Sequence, residues 1–419
     1  MLKKINYKLR IAGTKIGLDL PYFVKNGFWL SLGHGVDTIK GVVLSVVFTN
    51  FLSKSIYGEY NLYLSILGIL TIFALPGMNQ SIIQAVSRGY DGTYFKAIIT
   101  KAKWSILGTI ALIGIAIYFY FFKSDAQISI SLIMLAVIFP LYAISETYQE
   151  FFAGKKKFRQ LVIVSSIFGI FSMIGLTAVV FLYPSALLLL LVTVFIQIII
   201  LGGFSLIAMR KYITNNKVDK SNIIFGKKLS LIGVLDVIAN HIDKLIIGIF
   251  IGGVDLAIYQ VAIMLPDYLK TSFAPITRTF LPKLSNMKID INNKDELKKN
   301  FFKMFIPVAA MIIIFLITAP FVFKYVFPKY LDQSLTFALV YSLSILASPL
   351  VIFHSYFVSA KKTKPIFYLK ISFSLIIVIL SPILIYYFHI WGAIITRIIA
   401  RTVALIVSYV CYERSFEKK

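Results

Sequence analysis

Nine ionisable side chains stand inside apolar runs long enough to cross a bilayer: Asp37, Lys40, Asp236, Asp243, Lys244, Asp267, Lys270, Arg397 and Arg401. An ionised group at the centre of a membrane helix costs ~2.5–3.5 kcal/mol. Summed naively, the set would cost on the order of 25 kcal/mol, more than the stability of a typical domain. These groups cannot all face lipid, so they must be paired, wet, or both. Charged groups held at mid-membrane depth line polar pathways and contact what passes along them.

Helical spacing shows where they point. His34, Asp37, Gly41 and Ser45 follow i, i+3, i+7, i+11 and share one face. Asp236, Asn240 and Asp243 do the same, with Lys244 four residues after Asn240. Asp267 and Lys270 are three apart, and Arg397 and Arg401 are four apart with no acid on their own span. A water-filled cleft lined by spans 1, 2, 7 and 8 accounts for these faces. A plainer account also stands for Asp37–Lys40 and Asp267–Lys270, as i, i+3 pairs that only tie helices together. Asp243 and Lys244 are adjacent and do not pair along the helix. Glu146 and Glu150 precede GKKKFRQ and are expected to contact its lysines. The four histidines have no ligand spacing and the single cysteine, Cys411, forms no internal disulfide, so no metal site is expected.

The elements that position these groups follow from composition. The 419 residues are 58% hydrophobic and 15% charged, with mean hydropathy +0.84, which marks an all-α integral membrane protein rather than a soluble domain. About twelve spans are expected near 27–52, 60–86, 104–122, 128–151, 161–182, 185–209, 228–251, 255–280, 303–323, 334–358, 366–387 and 391–411. Of the 43 Lys and Arg, only Lys54, Lys123, Lys324 and Lys329 fall on one side and five within spans. The rest gather on the other side with both termini. The positive-inside rule makes that side cytoplasmic. The net charge of +25 is thus mostly topological and calls for no nucleic acid. Residues 1–25 carry six basic residues and no continuous apolar core, so no cleavable signal peptide is expected.

An internal echo divides the chain. At an offset of 199, LSLGHGVDTI (Leu30–Ile39) falls on LSLIGVLDVI (Leu229–Ile238), Tyr60 on Tyr259 and Pro76 on Pro275; at 206, FFAGKKK (Phe151–Lys157) falls on FVSAKKT (Phe357–Thr363). This predicts two six-helix lobes related by a pseudo-two-fold axis along the membrane normal, with Asp37 and Asp236 as counterparts. The expected organisation is an arm over 1–26, a lobe over 27–209, a cytoplasmic linker over 210–227, a second lobe over 228–411 and a tail over 412–419.

The run DKLIIGIFIGGVDLAIYQVA (Asp243–Ala262) resembles the seventh and eighth helices of the bacterial polysaccharide-export, or oligosaccharide flippase, family. This is the Wzx-type (O-antigen flippase) branch of the superfamily that also holds MATE exporters and lipid II flippases. SKSIYGEYNLYLSILGIL (Ser53–Leu70) and TFLPKLSNM (Thr279–Met287) are similar to further segments of that family. The resemblance implies a MATE-like bundle that moves a polyprenyl-pyrophosphate-linked oligosaccharide across the bacterial inner membrane by alternating access. Lys40, Lys244, Lys270, Arg397 and Arg401 would then hold the anionic head group. Asp37, Asp236, Asp243 and Asp267 would balance them, bind sugar hydroxyls or carry coupling protons. His34 and Asn240 would add cavity polarity. No cofactor is expected beyond coupling to H+ or Na+. Expected partners are the lipid-linked substrate, membrane lipids and other polysaccharide-assembly proteins. Two other readings compete. A MATE-type cation-coupled antiporter shares the architecture but needs a dominantly acidic pocket. A polysaccharide polymerase or glycosyltransferase commonly carries a large outside loop, and every outside loop expected here is short.

Overall fold

A computed structural model of the chain describes residues 20–271, 294–360 and 362–417. Most of the expected N-terminal arm, the TFLPKLSNM segment and Pro275 lie outside the described residues. All regular structure among the described residues is helical. That is the physical consequence of an apolar chain in a solvent without hydrogen-bond partners, where each segment must satisfy its own backbone.

The helices are α1 (Leu20–Phe51), α2 (Lys54–Leu70), α3 (Met78–Ser87), α4 (Gly92–Phe122), α5 (Ala126–Ser145), α6 (Tyr148–Gly154), α7 (Phe158–Leu182), α8 (Ala186–Ile196), α9 (Gly203–Tyr212), α10 (Lys220–Ile232), α11 (Val234–Ile246), α12 (Gly253–Thr271), α13 (Lys294–Val326), α14 (Leu331–Ser342), α15 (Leu350–Ser359) and α16 (Thr363–Glu417). A π turn over Gln197–Gly202 joins α8 to α9, and another, Ile247–Ile251, extends α11. Among the described residues, nine helical segments are long and apolar enough to cross a membrane. One of them, within α16, runs 53 residues, which as a straight helix would be roughly 80 Å long against a hydrocarbon core of about 30 Å. The chain instead leaves helical geometry at His389, with φ 51° and ψ −129°. Gly392 lies so close to Leu384 that a Cβ there would come within 2.0 Å of its carbonyl oxygen. The helix therefore folds back on itself, as two spans meeting near 387–391 require. The more polar α11 and α12, which carry Asp236, Asp243, Lys244, Asp267 and Lys270, turn at Gly252, whose φ is 144°. The set is consistent with about twelve crossings.

Several boundaries differ from the sequence expectation. α4 begins at Gly92, twelve residues before the expected 104, so Lys96, Lys101 and Lys103 belong to a helix and not to a loop. α2 begins at Lys54 instead of 60. FPKYLDQ (Phe327–Gln333), which falls between the expected spans 303–323 and 334–358, is mostly helical, because Pro328 opens a 3-10 turn that runs into α14.

Two compact units emerge: one through Leu52 and over Tyr63–Val237, the other comprising Ser53–Leu62 and the chain from Ile238. In the first, Met78, Ile82, Tyr94, Tyr148 and Phe151 form the centre of a buried cluster. The expected linker is partly structured there. α10 lies directly on α3, where a Cβ on Gly77 would meet Ser230 N at 2.3 Å and one on Gly226 would meet Met78 Sδ at 2.8 Å. Gly77 N also donates to Ser230 Oγ at 3.0 Å. The connection into α10 is stitched to the loop before α4. The carboxylate of Asp91, with no exposed surface, accepts from Lys155 Nζ at 2.6 Å, Thr214 N at 2.9 Å and Thr214 Oγ1 at 2.7 Å. Asp219 N donates to Thr93 Oγ1 at 2.9 Å. Burial pushes the Asp91 carboxyl up, but the donors from Lys155 and Thr214 outweigh it and hold it below its ordinary value.

In the second unit, Phe301, Val308, Phe353, Phe357 and Tyr412 belong to one buried cluster. The start of α2 meets the start of α12 backbone to backbone: a Cβ on Gly58 would lie 1.6 Å from the Gly253 carbonyl oxygen. Both units leave large apolar side chains outward, among them Phe121, Phe122, Val137 and Ile306, the surface that lipid covers.

Three outcomes are expected. Gly58→Val should lower the thermal midpoint of the purified protein by overpacking worth about 1–3 kcal/mol or more. Gly114→Ala, where nothing lies within 4 Å, should leave it unchanged or higher. Asp91→Asn should lower the midpoint at neutral pH. Because the folded carboxyl is depressed, the clamp contributes fully above the ordinary aspartate value of 3.8 and is lost as pH falls through the folded value. The wild-type advantage should therefore be constant from pH 5 to pH 7 and shrink below about 4; a pH-independent gap in the melting curves would refute the clamp.

Candidate functional site

The second unit holds two ion pairs that join α11 and α12 to the second half of α16. Asp243 is fully buried. Its Oδ2 accepts from Arg397 Nε and from the Tyr259 hydroxyl, and its Oδ1 accepts from Lys244 N at 2.9 Å. Arg397 Nη2 reaches the Asn240 carbonyl at 3.5 Å. One helical turn along α16, Arg401 Nη2 stands 2.8 Å from Asp267 Oδ1. Arg401 Nη1 donates to Ser344 Oγ, and its guanidinium lies 5.0 Å from the centre of the Tyr341 ring. The Tyr341 hydroxyl donates to Asp267 Oδ1 at 3.1 Å.

The i, i+4 spacing of Arg397 and Arg401 puts both guanidinium groups on one face of α16. α11 and α12 supply one carboxylate to each. Asp267 thus pairs across helices with Arg401 and not along its own helix with Lys270. The two pairs differ in exposure: the Asp243 side chain is 0% exposed and the Asp267 side chain 35%. Arg401 Nε is buried with no partner among the described residues. Lys244 is half-buried and Lys270 exposed. Neither has an ion-pair partner among the described residues, although both lie in the field of Asp267 and Arg397.

In the first unit, Asp37 and Lys40 form the i, i+3 pair at 4.0 Å, with Lys40 Nζ 5.0 Å from the centre of the Phe168 ring. His34 and Asp37 are exposed, and Asp236 is half-buried near the end of this unit. Asn240, four residues on, is exposed and belongs to the second unit.

Some functional candidates were not legible in the sequence. Tyr259, Tyr341 and Ser344 complete the two arginine–aspartate pairs, and only the Tyr60/Tyr259 echo hinted at one of them. In the first unit, Lys101 is buried inside α4 and donates to Asn79 Oδ1 at 2.9 Å, in the field of Glu150 and Glu146. This corrects the expectation that Glu146 and Glu150 contact the GKKK lysines. Lys155, the first of those lysines, is held by Asp91, and the charge facing the two glutamates comes from α4. The difference arises because hydropathy begins the span at 104 and leaves Lys101 outside the helix that carries it. Among the described residues no group of three or more His, Cys, Asp or Glu is placed to hold a metal ion.

Comparison with known proteins places this geometry. A sequence profile described as "Polysaccharide biosynthesis protein" matches residues 23–288. A Shigella flexneri protein named "Putative O-antigen transporter" is 22% identical over 326 residues, which span 72% of this chain and 76% of that protein. The structure is similar to that of the lipid II flippase MurJ in an inward closed conformation, with TM-score 0.66 at 15% identity over 93% of this chain and 87% of that one. It is also similar to an outward-facing multidrug resistance MATE family transporter of the MOP superfamily, with TM-score 0.65 at 14% identity over 94% and 95% of the two chains. The fold is therefore that of an all-α, MATE-like integral membrane protein.

Arg397→Gln alone should destabilise the protein by about 3–5 kcal/mol, because it leaves the Asp243 carboxylate buried without a counter-charge. The double variant Asp243→Asn/Arg397→Gln should recover much of that loss. Melting of the purified variants checks this, and a neutral single variant would show that the pair is solvated.

Proposed function

The chain belongs to the polysaccharide biosynthesis protein family, whose profile covers residues 23–288, and from that premise we propose that it flips a polyprenyl-pyrophosphate-linked oligosaccharide across the bacterial inner membrane. It is a membrane transporter and not an enzyme. The lipid tail of such a substrate can stay in the hydrocarbon, while the pyrophosphate and sugars need a polar route.

The observation that supports this reading is the charge left after pairing in the second unit. Asp243 neutralises Arg397 and Asp267 neutralises Arg401, which leaves Lys244 and Lys270 as uncompensated cations among the described residues. A lysine acts on a phosphate as a mobile point charge. The partly exposed Asp267, held by Tyr341 and Arg401, can accept from sugar hydroxyls while its ion pair keeps it charged. In this reading Arg397 sets the position of α11 against α16, and Lys244 and Lys270 meet the head group. Arg401 holds Asp267 in place through its pair.

The same observation weighs against a cation antiporter. A cationic drug needs a free carboxylate in its pocket, and both aspartates of this network are already engaged by arginines. This reading assigns coupling with H+ or Na+ to Asp37 and Asp236. The charge census supports cytoplasmic termini, and a role in O-antigen or capsule assembly implies contact with other polysaccharide-assembly proteins.

The test is complementation of a flippase-deleted strain. Lys244→Gln/Lys270→Gln should reduce surface polysaccharide by roughly ten-fold per lysine removed, with lipid-linked repeat units accumulating on the cytoplasmic leaflet and protein level unchanged. Normal export by the double variant would remove these lysines from the site. Drug/proton exchange in proteoliposomes, with no polysaccharide defect in the deletion strain, would overturn the flippase reading.

A further inference from the structure

The first unit carries a second basic site, away from the arginine–aspartate pairs. A cavity of about 580 Å3 opens where the start of α4 meets the end of α9, lined by Phe95, Lys96, Leu206, Met209, Arg210 and Ile213. Its chemistry is divided. Phe95, Leu206, Met209 and Ile213 make an apolar wall, and Lys96 and Arg210 are exposed cations without ion-pair partners among the described residues.

The nearby acids are already engaged. Asp91 is held by Lys155 and Thr214. Asp219 accepts from Ser221 Oγ at 2.6 Å, Asn222 N at 3.1 Å and Asn222 Nδ2 at 2.9 Å. Positive charge at this cavity is therefore uncompensated. The cavity also lies at the ends of two membrane-crossing segments, Gly92–Phe122 and Ala186–Tyr212, on the side where the basic residues gather. One to three turns deeper along the α8–α9 segment, a groove of about 460 Å3 is lined by apolar residues including Ile167, Phe171, Ile199, Phe204 and Ile207.

We propose that this cavity binds the head group of an anionic phospholipid from the leaflet bordering the basic end of the protein. Lys96 and Arg210 hold the phosphate, and the apolar wall and the deeper groove take the first part of the acyl chains. Basic pockets between membrane helices at the head-group level bind such lipids. An amphipathic ligand is favoured over a free anion because most of the lining is apolar and would strip water from a small ion without replacing it. Lys96 and Arg210 have no part in the substrate reading above, so this site stands whether or not that reading does.

The test uses the full-length protein in nanodiscs, with phosphatidylglycerol or phosphatidylcholine as the probe and retained lipid read by native mass spectrometry. Wild type should retain phosphatidylglycerol in preference to phosphatidylcholine. Lys96→Gln/Arg210→Gln should weaken that retention about 25-fold, at about five-fold per basic residue near the surface. Lys123→Gln, at the opposite end of α4, should retain the lipid like wild type. Equal retention of the two lipids by wild type overturns the proposal even if the double variant does not fold. Undiminished retention by a folded double variant also overturns it, as does displacement of the lipid by millimolar inorganic phosphate, which would mark a free-anion site.

Discussion

A charge inside a membrane helix must be answered by another charge, and the pairing of Asp243 with Arg397 is how this protein answers its most deeply buried one. The carboxylate has no exposed surface, and three donors reach its two oxygens: Arg397 Nε, the Tyr259 hydroxyl and Lys244 N. Such a group fixes the positions of α11, α12 and α16 at once, because none can shift without leaving a bare ion in low dielectric. The Asp267–Arg401 pair one turn away repeats the arrangement with more solvent access. The two pairs therefore differ in what surrounds them: the inner carboxylate has no exposed surface, and that of Asp267 is about a third exposed.

Close backbone approach does in the apolar parts what ion pairing does in the polar ones. Without a hydrophobic drive between helices in lipid, association relies on packing, and small residues let backbones meet. Gly58 against Gly253 in the second unit, and Gly77 and Gly226 across the α3–α10 contact in the first, are such places. The first unit adds a polar clamp at its basic end. There Asp91 ties together the loop before α4, the turn after α6 and the connection to α10, so a segment that reads as a linker is an integral part of the unit.

Much of the fold was legible because membrane insertion imposes long apolar runs and charge asymmetry directly on the sequence. The membrane class, the long apolar helices and the separation of two spans near 387–391 all followed from that. Boundaries were less legible where basic residues sit inside helices. Lys96, Lys101 and Lys103 masked the first turns of α4, since a helix reaching past the hydrocarbon core can carry charge that hydropathy reads as loop.

For the site, the residue pattern alone names the charges that need partners and the helix faces on which they lie, because helical periodicity and the cost of burying an ion are local properties. Which charge answers which is set by the packing of the helices. Asp267 stands three residues from Lys270, yet it pairs with Arg401, 134 residues away. Asp243 adjoins Lys244, yet it pairs with Arg397, 154 residues away. Neighbours three or four apart on a helix can meet only along its surface, whereas a guanidinium on a packed helix can reach a buried carboxylate, shed its water there and still satisfy it with directed hydrogen bonds. That selection depends on which helices pack together.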